Sequence, residues 1–159
     1  MKNIYFLFVC LISFNSFSQD QILDTSIKTL KGETNSLTEI TSKNDLIIVS
    51  LWATWCVPCK KELDAINDVY DEWQEETNVK LIAVSVDDSR TVSRVIPLVN
   101  GKGWDFTILL DTNNDLKRAL NVTSVPLTLI IKKDEIVYRH SGYTPGAEDA
   151  LYKELKKHI

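Results

Sequence analysis

Cys56 and Cys59, in the segment SLWATWCVPCKKEL, are close enough in the chain for their sulfurs to bond to each other or to a third atom. Three chemistries use such a pair: reversible thiol–disulfide exchange, a permanent staple, and half of a metal site. Structural zinc takes four ligands. The other candidates, His140 and His158, lie far along the chain, so no metal is expected. A staple across three residues closes too small a loop to restrict an unfolded chain much. Exchange requires a thiolate, and a thiolate requires a setting that lowers the thiol pKa. The elements around the pair must supply that setting.

The run DLIIVSLWA is apolar throughout and bounded by polar residues, as a strand buried on both faces requires. After Cys56 the period changes. Leu63, Ile66, Val69, Tyr70 and Trp73 recur at three- and four-residue steps, which predicts an amphipathic helix packed on that strand. The cysteines therefore sit where a strand enters a helix N-terminus, with its unpaired N–H groups and positive dipole end. A thiolate is stabilised there. Cys56 is expected to be the more exposed attacking thiol, and Cys59, one turn on, the buried resolving thiol. Pro58 fits the first helical turn, where its missing N–H costs nothing. Trp52 reads as core. Trp55 reads as packing, a shield for the thiols or an apolar docking surface. Lys60 and Lys61 read as a solvated helix face.

The rest of the chain alternates. Residues 21–43 predict a short strand or hairpin turning near Gly32, then a capped helical turn from Ser36 to Ile40. VKLIAVSVDD is a second buried strand. SRTVSRVIPLVNGKG is a helix bent or shortened by Pro97 and ended by Gly101 and Gly103. DFTILLD is a strand. TNNDLKRALN is a short helix capped by Thr112 or Asn113. PLTLIIKKDEIVYRHSG is a hairpin, and the last residues form an amphipathic helix. This order predicts an α/β fold with a mixed sheet and helices on both faces.

The first eighteen residues stand apart. Lys2 precedes an apolar run from Ile4 to Ile12, and Ser16 and Ser18 suit cleavage after residue 18, the layout of a secretory signal peptide. The alternative, an uncleaved anchor, needs about 20 apolar residues. Cys10 would leave with the signal, so the domain at 19–159 would hold only Cys56 and Cys59 in a disulfide-permissive compartment. A 159-residue chain, 44% hydrophobic and 25% charged, suits one globular domain with its own core. A formal net charge of −4 gives no basic face for nucleic acid. The NVT sequon at Asn121 is read as chance.

WATWCVPCK, followed later by SVP, resembles the thioredoxin superfamily, specifically its TlpA/ResA-like exported thiol-disulfide oxidoreductases. The resemblance runs from about residue 22 to the end. It implies a thioredoxin-like fold: a central mixed sheet flanked by helices, an N-terminal hairpin, and an extra β/α element between Val86 and Pro126. It implies that Pro126 is a cis-proline and that it and Val125 present a backbone edge to a partner chain. Glu62 matches an acidic residue thought to set thiol acidity and proton transfer. The implied enzyme works without a cofactor, as a monomer, in the periplasm or otherwise outside the cytoplasm. It exchanges disulfides with protein dithiols, mostly as a reductant fed by a membrane thiol transporter, and some members serve cytochrome c maturation.

Three positions depart from the family pattern. Ser50 stands where thioredoxins carry a buried aspartate, Leu127 where a threonine follows the cis-proline, and Glu135 where the closing hairpin turn has glycine. Two other readings remain. A peroxiredoxin-like peroxidase would have a threonine at the position of Ala53, and a binding module would hold the pair as a permanent disulfide.

Overall fold

The computed structural model describes residues 24–159, so the signal peptide expected at 1–18 lies outside the described residues. Seven strands form one sheet in the order β2-β1-β5-β4-β3-β6-β7. The N-terminal hairpin is β1 (Ser26–Thr29) and β2 (Thr34–Ser36), turning where Gly32 has φ +86°. Ser36 then opens α1 (Leu37–Thr41) with a reciprocal capping box: its hydroxyl accepts from Glu39 N–H, and the Glu39 carboxylate accepts from Ser36 N–H.

β3 (Leu46–Trp52) is buried at every residue, as its unbroken apolar run requires. It runs parallel to β4 (Lys80–Ser85), which runs parallel to β5 (Thr107–Leu110). On its other side β3 pairs antiparallel with β6 (Leu127–Lys132), and β6 with β7 (Glu135–Ser141). Between β3 and β4 lies α2 (Val57–Thr77). It buries Cys59, Glu62, Leu63, Ile66, Tyr70 and Trp73, the helical-period face expected from the sequence with one carboxyl group added.

The segment before the cis-proline supplies β5 and two helices, α3 (Val95–Lys102) and α4 (Asp115–Ala119). A 3-10 turn at Val92–Arg94 leads into α3. Pro97 falls in the first turn of α3, where no N–H is needed, so the α-helix is shorter than the segment and starts just ahead of the proline. Gly103, at φ +66°, closes α3, whereas Gly101 lies inside it. The expected cap of α4 is also corrected. Asn114 holds the N-cap position without a side-chain bond, and the Asp111 carboxylate instead accepts from Leu116 and Lys117 N–H.

The added segment docks on β3 and α2 through aromatic contacts and a hydrogen bond. Trp104 meets Trp52 edge-on at 5.2 Å and stacks on Phe106 at 5.5 Å, and its indole N–H donates to Asp64 of α2 at 3.1 Å. Trp52 is core, as expected, with its indole N–H buried and unpaired. The terminal helix α5 (Ala147–Leu155) lies on the same side of the sheet, with Tyr152 stacked on Trp73 of α2 at 4.9 Å.

The β6–β7 turn consists of Lys133 and Asp134, not Glu135, which is the first residue of β7. Both turn residues have positive φ, 47° and 65°, as a two-residue type I′ hairpin demands. Asp134 tolerates that region, whereas lysine suits it less than asparagine. Lys133→Asn is expected to raise unfolding free energy by about 0.5–1 kcal/mol in urea titration. A loss of stability would show that the lysine side chain makes a contact that outweighs its backbone cost.

Candidate active site

β3 ends at Trp52 and α2 begins at Val57, with four residues between. Cys56 is the N-cap of α2. Its sulfur accepts the Cys59 N–H at 3.2 Å, taking one of the donors that the first helical turn leaves free. Cys56 and Cys59 form a disulfide, their Cα atoms 5.3 Å apart. Pro58 lies in the first turn, as predicted. The exposure difference expected between the two cysteines is present but small: Cys56 is 5% exposed and Cys59 is fully buried. What projects from the surface is the rim around Cys56, since Trp55 and Val57 are each 56% exposed.

The loop before Cys56 is fixed from behind. Asp87, just past the end of β4, is fully buried. Its carboxyl group accepts from the Thr54 N–H at 2.8 Å, the Thr54 hydroxyl at 2.6 Å and the Ser85 hydroxyl at 2.8 Å. The Lys60 ammonium donates to the Thr54 carbonyl at 3.0 Å, which ties the same residue to the first turns of α2. Sequence reading missed this arrangement. The only clue was an aspartate directly after an apolar strand, and nothing in the sequence says that it folds back onto Thr54.

Opposite the disulfide, the Val125–Pro126 peptide bond is cis, and the Val125 carbonyl oxygen lies 3.7 Å from the Cys56 sulfur. The structure therefore brings Cys56, Cys59, Trp55, Val125 and Pro126 to one end of the sheet.

Glu62 lies one turn beyond Cys59 on the buried face of α2 and is 4% exposed. The Thr128 hydroxyl donates to one carboxyl oxygen at 2.8 Å and the Ser50 hydroxyl to the other at 3.1 Å. Ser50 and Thr128 face each other across β3 and β6, so the two hydroxyls converge from one sheet face. Ser50 thus does not replace a carboxylate but supports one on the neighbouring helix. Burial pushes the Glu62 pKa up to about 7, and the two hydroxyl bonds offset part of that rise. A cavity of about 40 Å³ adjoins Glu62, lined also by Ile66, Thr128, Tyr138, His140 and Leu151. A space of that size admits water. The described residues contain no group of three or more metal-ligating side chains that could hold an ion.

A cystine that caps a helix through its own sulfur, with a cis X–Pro carbonyl across from it, defines a thioredoxin-like thiol-disulfide oxidoreductase. The chain belongs to the AhpC/TSA family, whose model matches residues 18–140. It is 30% identical over 142 residues to thiol-disulfide oxidoreductase ResA of Halalkalibacterium halodurans, covering 88% of this chain and 76% of that one. The solution structure of an uncharacterized thioredoxin-like protein from Porphyromonas gingivalis is 42% identical, with a TM-score of 0.77 over 86% of this chain and 90% of that one. The crystal structure of StoA from Bacillus subtilis is 26% identical, with a TM-score of 0.65 over 81% of this chain and 95% of that one.

The buried carboxyl group makes stability depend on pH. Glu62 holds its proton to about pH 7 in the folded protein and loses it near its ordinary value of 4.5 when unfolded. Below the lower value both states are protonated and no penalty applies. Between the two values stability falls as pH rises, and above the upper value the full penalty remains. Glu62→Gln should therefore flatten the pH dependence, and at pH 8 it should be more stable than the parent by on the order of 2–3 kcal/mol. Urea unfolding at pH 5 and pH 8 measures this, and equal slopes for the two proteins would rule out the buried-acid account.

Proposed function

We propose that this protein acts outside the cytoplasm as a reductant of disulfides in other proteins. The observation that carries the proposal is the Cys59 N–H aimed at the Cys56 sulfur at the start of α2. In the reduced enzyme that donor and the dipole end would favour a Cys56 thiolate. The thiolate attacks one sulfur of a substrate disulfide. A Cys56–substrate bond forms, the substrate S–S bond breaks, and the other substrate sulfur leaves as a thiolate. Cys59 then gives its proton to the Glu62 carboxylate and attacks the Cys56 sulfur. The second substrate thiolate departs, leaving the Cys56–Cys59 disulfide. Two electrons pass from the enzyme pair to the substrate.

Glu62 is suited to the proton step because its pKa is held near neutrality and the adjoining cavity gives its proton a path to water. Trp55, Val125 and Pro126 are assigned to substrate binding: an apolar rim beside Cys56 and a backbone edge opposite it. The N-terminal sequence supports export, and no helix among the described residues is long and apolar enough to cross a membrane. A membrane thiol transporter would return the enzyme to its dithiol form, and the disulfide of apocytochrome c is one substrate class the resemblance implies. The peroxidase reading lacks its threonine, since Ala53 stands three residues before Cys56.

Cys59→Ser removes the resolving thiol and should accumulate a mixed disulfide through Cys56, recovered by non-reducing electrophoresis and mass spectrometry. If no adduct forms and the parent protein fails to reduce insulin, the oxidoreductase role is wrong. A pair potential well below about −300 mV would instead mark a permanent staple. The proton role has its own signature. The resolving step should quicken as pH rises through about 7, where the Glu62 carboxylate forms. Glu62→Gln should slow that step by about 100-fold and abolish the rise.

A further inference from the structure

Beside Trp55 lies an open groove of about 460 Å³ that the disulfide chemistry leaves unused. One wall is the segment after β4, with Asp88, Arg90 and Thr91. The other wall comes from the region around α4, with Lys117, Arg118 and Val122. On a chain whose formal net charge is −4, this groove carries three cations against one acidic side chain. Asp88 engages Arg90 at 2.5 Å, and Arg118 reaches out of the groove to Asp115 at 2.5 Å. Lys117 forms no ion pair among the described residues. Thr91 keeps a buried hydroxyl without a hydrogen-bond partner.

The position of the groove matters as much as its charge. Trp55 immediately precedes Cys56, and Val122 lies three residues before Val125, whose carbonyl faces the Cys56 sulfur. A polypeptide whose cysteine sits at Cys56, and which runs along the exposed residues 123–124, is led directly into this groove. We infer that the groove binds the stretch of substrate polypeptide flanking the reactive cysteine and selects substrates with acidic side chains there. This rests on the oxidoreductase reading above. It adds to that reading a specificity site built mainly by the inserted segment between β4 and β6, beside Trp55 of the cysteine loop. Charge complementarity of this kind acts mainly on encounter and register, so it shows in kcat/KM and fades with salt.

The test uses two peptides that each carry one cysteine as a mixed disulfide with mercaptoethanol, one flanked by aspartates and the other by lysines. The reduced protein is expected to consume the acidic peptide with a kcat/KM about 10-fold above that of the basic one at low ionic strength, and about equal to it in 1 M salt. Lys117→Glu should reduce the ratio several-fold or invert it. Because the ratio is taken within one protein, a general loss of activity in the variant cancels. Equal rates for the two peptides at low salt would overturn the inference, as would a preference that survives both 1 M salt and Lys117→Glu. The neutral disulfide of mercaptoethanol separates the two levels of argument: failure of the unmutated protein to reduce it counts against the oxidoreductase reading itself.

Discussion

The site depends on one junction, where the C-terminal end of a buried strand passes directly into the first turn of a long helix. A helix start leaves backbone N–H groups without partners, and something must accept them. Here the acceptor is the Cys56 sulfur itself. The strand cannot shift, because its residues are buried on both faces and paired on both sides. The helix cannot shift, because Leu63, Ile66, Tyr70 and Trp73 are buried along it. Asp87 then pins Thr54 in the short loop between them. The geometry of the sulfur pair is thus set by elements that take no part in its chemistry, which is the condition for a preorganised site.

The second constraint is the carboxyl group of Glu62 beneath this junction. An isolated carboxylate at that depth would be very costly, and in practice such a group holds its proton to higher pH instead. Two hydroxyls from adjacent strands stabilise it without supplying a countercharge. That combination keeps Glu62 near the midpoint of its titration at neutral pH, whereas a cation in place of either hydroxyl would have fixed it as a carboxylate. The departure at Ser50 and the retention of Glu62 are therefore two halves of one arrangement.

The inserted segment between β4 and β6 is bound to the rest by edge-on aromatic contacts of Trp104 with Trp52 of β3 and of Phe106 with Tyr70 of α2, and by the pairing of β5 with β4. It widens the sheet and carries basic side chains to the edge of the cysteine loop. The chemistry and the surroundings of the site thus come from different parts of the chain. The strand–helix junction supplies the sulfur pair, while the insertion shapes what lies beside it.

The sequence alone determined the elements and the reactive pair. Hydrophobic period separated β3 from α2, and the change of period after Cys56 together with Pro58 marked the helix start. Those signals are local, so a reading of neighbouring residues captured them. The cap of α4 and the turn before β7 were misplaced for the complementary reason. Asp111 bonds around the residues expected to cap, and Lys133 accepts a backbone region that its side chain disfavours. Only the tertiary structure decided that Ser50, Thr128 and Glu62 meet, that Asp87 holds Thr54, and that Arg90, Lys117 and Arg118 share a groove with Trp55. Those partners are separated by 12 to 66 residues where the contacts are hydrogen bonds, and strand register and chain crossover bring them together. No spacing rule encodes that register, because it is fixed by which apolar faces can be buried at once.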